Sequence, residues 1–289
     1  MIKNDMRHGS INNNYLLSII IPCYNNSGTI ATAVNSATSQ TYSNKEIIVI
    51  DDGSNRETKK VLTSLKSSID LLLAQENKGP SAARNKGIEK ASGRYILVLD
   101  ADDYFEPDFA EKAIEVLESN SLCKLVTCYG RWFESDKKSV IHKPAGGGID
   151  KFMYQSAAFG STLFRKKDWE RIEAYDEGMK IGFEDWEFYI RLLKDGGHAY
   201  VIPEILFHYR NTKNSRNSVA NIKKYEIWEY IFLKHKDLYI QDYERMIGKF
   251  TNLLQQQKNE NERTRNKPDF RLGYYLLFPL RKIRHFLKL

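Results

Sequence analysis

Three carboxylates, Asp100, Asp102 and Asp103, follow directly on the apolar run Tyr95-Ile-Leu-Val-Leu99. Such a run reads as a buried strand, and ligands bind at the C-terminal ends of strands in open α/β sheets. Acids gathered there repel one another unless a cation shares the site. A hard divalent ion such as Mg2+ or Mn2+ takes one or two carboxylates and completes its shell with substrate phosphates. Alone, Asp-x-Asp is a weak signal, because a solvated acidic turn before a helix opening near Pro107 looks the same. A second acidic strand end strengthens it: Ile47-Ile-Val-Ile50 runs into Asp51-Asp52-Gly53-Ser54. A third strand, Leu17-Ser-Ile-Ile-Ile-Pro22, leads into Cys23-Tyr-Asn-Asn26.

The segments between these strands have helical patterning. Residues 29–40 and 57–66 are two of them, and 80–91 opens with Pro80 and meets Gly93 at its end. Strands alternating with helices predict an α/β fold with a mostly parallel, doubly wound central sheet and helices on both faces. The three strand ends then line one edge, where a nucleotide could lie. Further on, the spacing of Trp186, Ile190 and Leu193 predicts a helix. Asp185 falls in its first turn, where the helix dipole favours an ionised carboxylate. Glu184 and Asp185 read equally as ordinary N-terminal helix acids, and Arg84 as an exposed helical arginine.

Taken together, these elements resemble a family-2 glycosyltransferase of GT-A fold. The matching pieces are Ser18-Ile-Ile-Ile-Pro-Cys-Tyr-Asn25, Ile50-Asp-Asp-Gly-Ser54, Asn77-Lys-Gly-Pro-Ser-Ala-Ala-Arg-Asn85, Gly93-Arg-Tyr-Ile96, Asp100-Ala-Asp-Asp103 and Gly182-Phe-Glu-Asp-Trp-Glu187. Their order and spacing over residues 16–210 are far more specific than any one of them. The resemblance implies an inverting, metal-dependent transferase that uses a UDP-sugar. It assigns Pro22, Tyr24 and Asp52 to the uridine. An ionised Asp52 suits the uracil N–H, and Tyr24 offers a flat ring for stacking. Arg84 would approach the base or the pyrophosphate, Asp102 would hold Mn2+ or Mg2+, and Asp100 would touch ribose or a metal-bound water. Glu184 is assigned to substrate and Asp185 to the general base that takes the proton of the attacking hydroxyl. Arg210, with Lys213 and Arg216 behind it, would neutralise diphosphate from a closing loop at 211–217. His208 is read as a hydrogen-bonded structural residue.

A chain of 289 residues with 42% hydrophobic and 12% aromatic content can bury a proper core and is not generally disordered. The expected organisation is a polar tail at 1–14, a transferase domain at 15–220 and a helical, basic region at 221–289. Residues 1–14 lack an apolar core of signal-peptide length. Cys23, Cys123 and Cys128 lack zinc-site spacing and read as buried thiols of a reducing compartment. Ala145-Gly-Gly-Gly148 reads as a flexible connection. Of the net charge of +7, residues 251–289 carry +6, from nine Lys or Arg against three acids. Within that tail, residues 259–268 read as a polar linker. Aromatic and apolar residues follow at 270–280, then a basic cluster containing Arg281, Lys282 and Arg284. The apolar run is too short for a bilayer, which needs about 20 residues. Aromatics beside cations suit a headgroup interface. Packing back on the domain is the second reading, and a nucleic-acid patch the last; no nucleic-acid partner is expected.

The resemblance therefore points to a peripheral enzyme of the cytoplasmic face of a bacterial inner membrane. It would move galactose or glucose to a diphospholipid-linked N-acetylhexosamine during O-antigen or capsule repeat-unit assembly. A sugar-nucleotide pyrophosphorylase is the nearest enzymatic rival. It would need a Gly-rich basic loop after the first strand, where this chain has Pro22-Cys-Tyr-Asn-Asn-Ser-Gly28. A non-catalytic sugar-nucleotide or lipid-surface binding module would have no use for both Asp102 and Asp185.

Overall fold

The computed structural model describes residues 15–135, 138–211 and 216–286. Strands β1 (Leu17–Cys23), β2 (Lys45–Asp52), β3 (Leu71–Gln75), β4 (Tyr95–Val98), β5 (Tyr104–Phe105), β6 (Cys123–Ser135), β7 (Lys138–His142), β8 (Leu163–Arg165) and β9 (His198–Arg210) form one nine-stranded sheet. Its order is β3-β2-β1-β4-β8-β6-β9-β5, with β7 paired to β6. The first four of these, with β6 and β9, point one way; β8, β5 and β7 run against them. The sheet is thus mostly parallel, as expected, with an antiparallel insertion at β8.

Helices α1 (Ile30–Thr38), α2 (Arg56–Ser64), α3 (Pro80–Lys90) and α4 (Phe109–Ser119) cover it. Strand β1 is buried on both sides, which is why it reads as an unbroken apolar run rather than an alternation. Ile19, Ile21, Ile47 and Val49 join the apolar sides of α1 and α4 in the main core. Ile20 and Ile50 face the other way, against Gly87 of α3. Helices α5 (Ile149–Phe152), α6 (Lys166–Arg171) and α7 (Glu184–Leu193) follow. Helix α7 buries far more than the stripe of Trp186, Ile190 and Leu193, since Phe188, Tyr189 and Leu192 are inaccessible too. All three cysteines are buried and free.

Two expectations need correction. The glycines at 146–148 are not a flexible connection. Gly146 and Gly147 take φ of 59° and 93°; the Gly146 N–H donates to the Ala157 carbonyl, and Gly147 and Ala199 exchange N–H···O bonds at 2.9 Å. Positive φ is what glycine permits, and here it serves a tied turn. Nor are residues 259–266 a linker. After α8 (Arg216–Ile222), α9 (Lys224–Lys234) and α10 (Lys236–Gln241), they continue α11 (Tyr243–Asn266). Glu260, Glu262, Arg263 and Arg265 are good helix formers, and no proline interrupts α11 before Pro268, which opens α12 (Pro268–Phe286). The chain separates into two compact units, one ending at Ile231 and one beginning at Phe232. Ala220, Ile227 and Ile231 are buried in the first. The expected polar tail at 1–14 and the centre of the expected closing loop, Thr212 to Ser215 with Lys213, lie outside the described residues.

Candidate active site

The parallel strands deliver their acids to one edge, and the loops there are stapled together. Asn25, at φ 57°, ends β1 in the left-handed region. Its N–H donates to Ser54 Oγ at 3.1 Å, and its Oδ1 accepts from Asn55 N–H at 2.8 Å. Asp51 accepts the Ser54 N–H at 2.8 Å. Gly53 has φ of 76°, and a Cβ there would stand 2.7 Å from Asn77 N. That vacancy lets the 77–79 loop settle beside Asp52. Asp52 is 3% exposed. Its Oδ1 accepts from Gln75 Nε2 and Lys78 N–H at 2.8 and 2.9 Å, and its Oδ2 from Gly79 N–H at 2.9 Å. Of roughly four acceptor positions on a carboxylate, three are engaged within the chain. Pro22, near the end of β1, is half-buried, and Tyr24, just after the strand, is 48% exposed.

Arg84 is the hub of the site. It is 3% exposed, not the exposed helical arginine that α3 alone suggests. One terminal nitrogen donates to Asp100 Oδ1 and the other to Glu184 Oε1, each at 2.7 Å. Glu184 Oε2 takes a second cation, Arg216, at 2.9 Å. Both terminal nitrogens of Arg84 are therefore spent on carboxylates, as are both Glu184 oxygens on arginines. In the structure both side chains are engaged with each other and with Asp100 and Arg216. They tie the end of β4 to the start of α7. Burial opposes ionisation of Glu184, but Arg84 and Arg216 outweigh it and hold the carboxyl below its usual range.

Asp185 lies next to this pair and is half-buried. Its Oδ1 accepts from Trp186 N–H at 2.8 Å. Burial and the charge of Glu184 outweigh the pull of Arg84, so its carboxyl is pushed up to about 6. The helix N-terminus expected to keep it ionised is therefore offset by desolvation. Glu187, the other acid of the turn, is fully buried against Arg191 at 2.7 Å.

The three acids after β4 divide their labour. Asp103 points inward and accepts the Arg210 N–H at 2.9 Å, fixing the end of β9. Asp100 faces Arg84. Asp102 has no ion-pair partner among the described residues, and burial, then Asp100, push it up to about 6. His208 is buried, its Nε2 bonded to Glu106 at 2.7 Å, while its Nδ1 is buried without a hydrogen-bond partner among the described residues. Among the described residues no three His, Cys, Asp or Glu converge as a closed metal cage. The donor set nonetheless suits a hard divalent ion. One carboxylate with unmet charge, Asp102, and the uncommitted oxygen of Asp100 are what Mg2+ or Mn2+ takes when substrate phosphates supply the rest.

Sequence reasoning missed the segment 159–162. Gly160 packs against Asp185, where a Cβ would meet Oδ2 at 3.1 Å. Ser161 Oγ accepts the Asp100 N–H at 3.3 Å. Tyr189 Oη donates to the Phe159 carbonyl at 2.7 Å and meets Thr162 Oγ1 at 2.9 Å, locking the segment. Tyr175 was missed as well. It lies under the Arg84 guanidinium, 5.6 Å from carbon to ring centroid. The motif residue Asn85 holds it there by accepting the Tyr175 N–H at 2.8 Å. No local pattern marks either segment; only contact with Asp100, Asp185 and Arg84 does.

Residues 18–173 match the family model described as "Glycosyl transferase family 2". The chain is 29% identical over 210 residues to "Putative teichuronic acid biosynthesis glycosyltransferase TuaG" of Bacillus subtilis (strain 168), covering 70% of this chain and 82% of that protein. It is 38% identical over 130 residues to "UDP-Glc:alpha-D-GlcNAc-diphosphoundecaprenol beta-1,3-glucosyltransferase WfgD" of Escherichia coli, 45% of this chain but only 50% of that one. Among solved structures, S. aureus TarS 1-349 in complex with UDP-GlcNAc superposes with a TM-score of 0.59 at 18% identity, over 70% of this chain and 60% of that one. The mannosyltransferase PcManGT from Pyrobaculum calidifontis, in complex with GDP-Man and Mn2+, superposes with a TM-score of 0.56 at 18% identity, over 71% and 60%. At those identities the likeness is one of fold, and that fold is GT-A.

Proposed function

The chain belongs to glycosyl transferase family 2, and from that premise we propose that it moves a hexose, galactose or glucose, from a UDP-sugar to a diphospholipid-linked N-acetylhexosamine with inversion at the anomeric carbon. The observation that carries this reading is the Asp100–Arg84–Glu184 bridge. It brings the acids after β4 and the first turn of α7 to one edge of the sheet. In such a site the acceptor oxygen attacks C1 of the sugar, the C1–oxygen bond to the diphosphate breaks on the opposite face, and the hydroxyl proton passes to Asp185. A base that titrates near 6 is mostly ionised at neutral pH yet still basic enough to accept a proton. Glu184 and Glu187 are unsuited, each being held by arginine.

Tyr24 would stack on the uracil, and Asp52, with one acceptor position left, would take its N–H while it holds the 75–79 loop. Pro22 would line the same pocket. Mn2+ or Mg2+ would be held by Asp102, with Asp100 beside it, and when bound it neutralises charge on the departing diphosphate. Support for UDP comes from the fold neighbour TarS, which holds UDP-GlcNAc. Support for the acceptor comes from WfgD, whose name specifies a diphosphoundecaprenol-linked GlcNAc. TuaG, named for teichuronic acid biosynthesis, places surface polysaccharide assembly among the roles of its relatives. We place the enzyme on the cytoplasmic face of the membrane, held by α12. That helix exposes Phe270, Leu272, Tyr274, Tyr275, Leu276, Leu277 and Phe278. No helix among the described residues is long and apolar enough to cross a bilayer.

The test is a panel of UDP-sugars with a short-chain N-acetylglucosaminyl diphosphate acceptor, the linkage of the product being assigned by NMR. Transfer with a β linkage from UDP-galactose or UDP-glucose is expected. Asp102→Asn, or chelation, should lower turnover by roughly two orders of magnitude or more. Full activity in chelator would remove the metal from the proposal, and transfer from a GDP-sugar alone would remove UDP.

A further inference from the structure

The aromatic residues of the β6–β7 hairpin have no part in the donor site, yet they lead to the catalytic edge. Trp132 is 40% exposed although it is a large ring in the middle of a paired strand. Its indole stacks on His142 at 4.9 Å with 20° between the planes. Tyr209, its partner in register on β9, lies 5.5 Å away. His142 in turn meets the edge of Phe159 at 5.4 Å. Phe159 is seated over Gly130, where any Cβ would come within 2.5 Å of its ring. From Phe159 the chain continues to Gly160, against Asp185, and then to Ser161, which accepts from the Asp100 N–H. One short run of residues thus joins the aromatic face, the base and the acids after β4. Two ring-to-ring steps, of 4.9 and 5.4 Å between centroids, join the exposed indole to that run.

The chemistry of the face limits its occupant. An exposed indole presents a negative π-face, which attracts the weakly positive C–H face of a pyranose, while ring hydroxyls turn to polar neighbours. One such neighbour is present: His142, exposed and stacked on the indole. The donor side has its own exposed ring, Tyr24, on the β1 loop. We propose that Trp132, flanked by His142 and Tyr209, is the platform on which a pyranose ring of the acceptor saccharide stacks as its hydroxyl reaches Asp185. This rests on the transferase reading above and adds to it a binding residue for the acceptor.

The test compares wild type with Trp132→Leu, which keeps an apolar side chain but loses the ring, and Trp132→Phe, which keeps a ring. Two readouts are taken, the first with UDP bound and the second with the UDP-hexose as donor. One is saturation-transfer NMR with methyl N-acetylglucosaminide; the other is transfer to N-acetylglucosaminyl diphosphoryl undecanol. Trp132→Leu should lose saturation of the pyranose ring protons and raise the acceptor KM on the order of tenfold. Its kcat, its UDP affinity by calorimetry and its rate of donor hydrolysis should stay near wild type. Trp132→Phe should recover most of the loss. Unchanged pyranose saturation and acceptor KM in Trp132→Leu would overturn the platform, as would a loss shared equally with UDP affinity or melting temperature. A wild-type enzyme that binds UDP but transfers no hexose to the diphosphoryl undecanol acceptor would instead overturn the acceptor reading, and the NMR comparison would still decide the platform.

Discussion

Replacing Arg84 with methionine should damage stability and the pH profile together, for separable reasons. The guanidinium is buried between Asp100 and Glu184, with both contacts at 2.7 Å. Removing one partner of a buried pair costs about 3–5 kcal/mol, because a charge is left unpaired. Here the loss falls at the low end of that range. Asp100 is 33% exposed and can be rescued by water, and Glu184 keeps Arg216 at 2.9 Å. A loss of about 3 kcal/mol is expected, which for a unit of this size lowers the melting temperature by about 6–12 °C. Arg84 also pulls the Asp185 carboxyl downward, against burial and Glu184. Without it Asp185 rises further, and the acid limb of kcat/KM should move from about 6 toward neutrality. Differential scanning fluorimetry and a pH–rate series would read the two effects. A double-mutant cycle with Glu184→Gln should show coupling, since Glu184→Gln already removes the charge that Arg84 balances. An Arg84→Met protein that melts like wild type and keeps its acid limb would refute the hub.

Three further outcomes are expected. Wild-type kcat/KM should fall about tenfold per pH unit below about 6, as Asp185 takes a proton and ceases to be a base, while Asp185→Asn should lower kcat by roughly 10²–10⁴ and leave UDP affinity intact; a flat profile from pH 5 to 8 would contradict this. Gly160→Ala should push on Asp185 by a few tenths of an ångström and cost roughly one order of magnitude in kcat with little loss of UDP affinity, so calorimetry beside turnover checks it. Truncation after Pro268 should release the enzyme from vesicles containing anionic lipid while preserving its melting temperature and its donor hydrolysis; a truncated protein that melts early would show that α12 packs rather than anchors.

Much of this molecule was legible from its sequence because the informative features are local. Continuous apolar runs ending in acids mark strands buried on both faces, and Leu17–Cys23, Lys45–Asp52 and Tyr95–Val98 lie where those runs fall. The helix after Gly182 starts at Glu184 and ends at Leu193, as its spacing requires. Charge and polarity were less informative. Residues 259–266 have the composition of a linker and of a solvated helix alike, and only the absence of proline before Pro268 separates the two.

What the sequence could not decide is which acid does what, because a carboxylate's character depends on neighbours distant in the chain. Arg84 lies sixteen residues from Asp100 and a hundred from Glu184, so no pattern within a helix shows that it is buried between them. That placement makes Glu184 a partner of arginine and leaves the carboxyl of the adjacent Asp185 pushed up to about 6. The same holds for Asp102 and Asp103, neighbours on one turn. One has no ion-pair partner among the described residues, and the other points inward to the end of β9, because strand pairing brings Arg210 to it. The residue types and their order on the sheet edge belong to the sequence. Burial and the long-range ion pairs, which set the working charge of each group, belong to the tertiary structure alone.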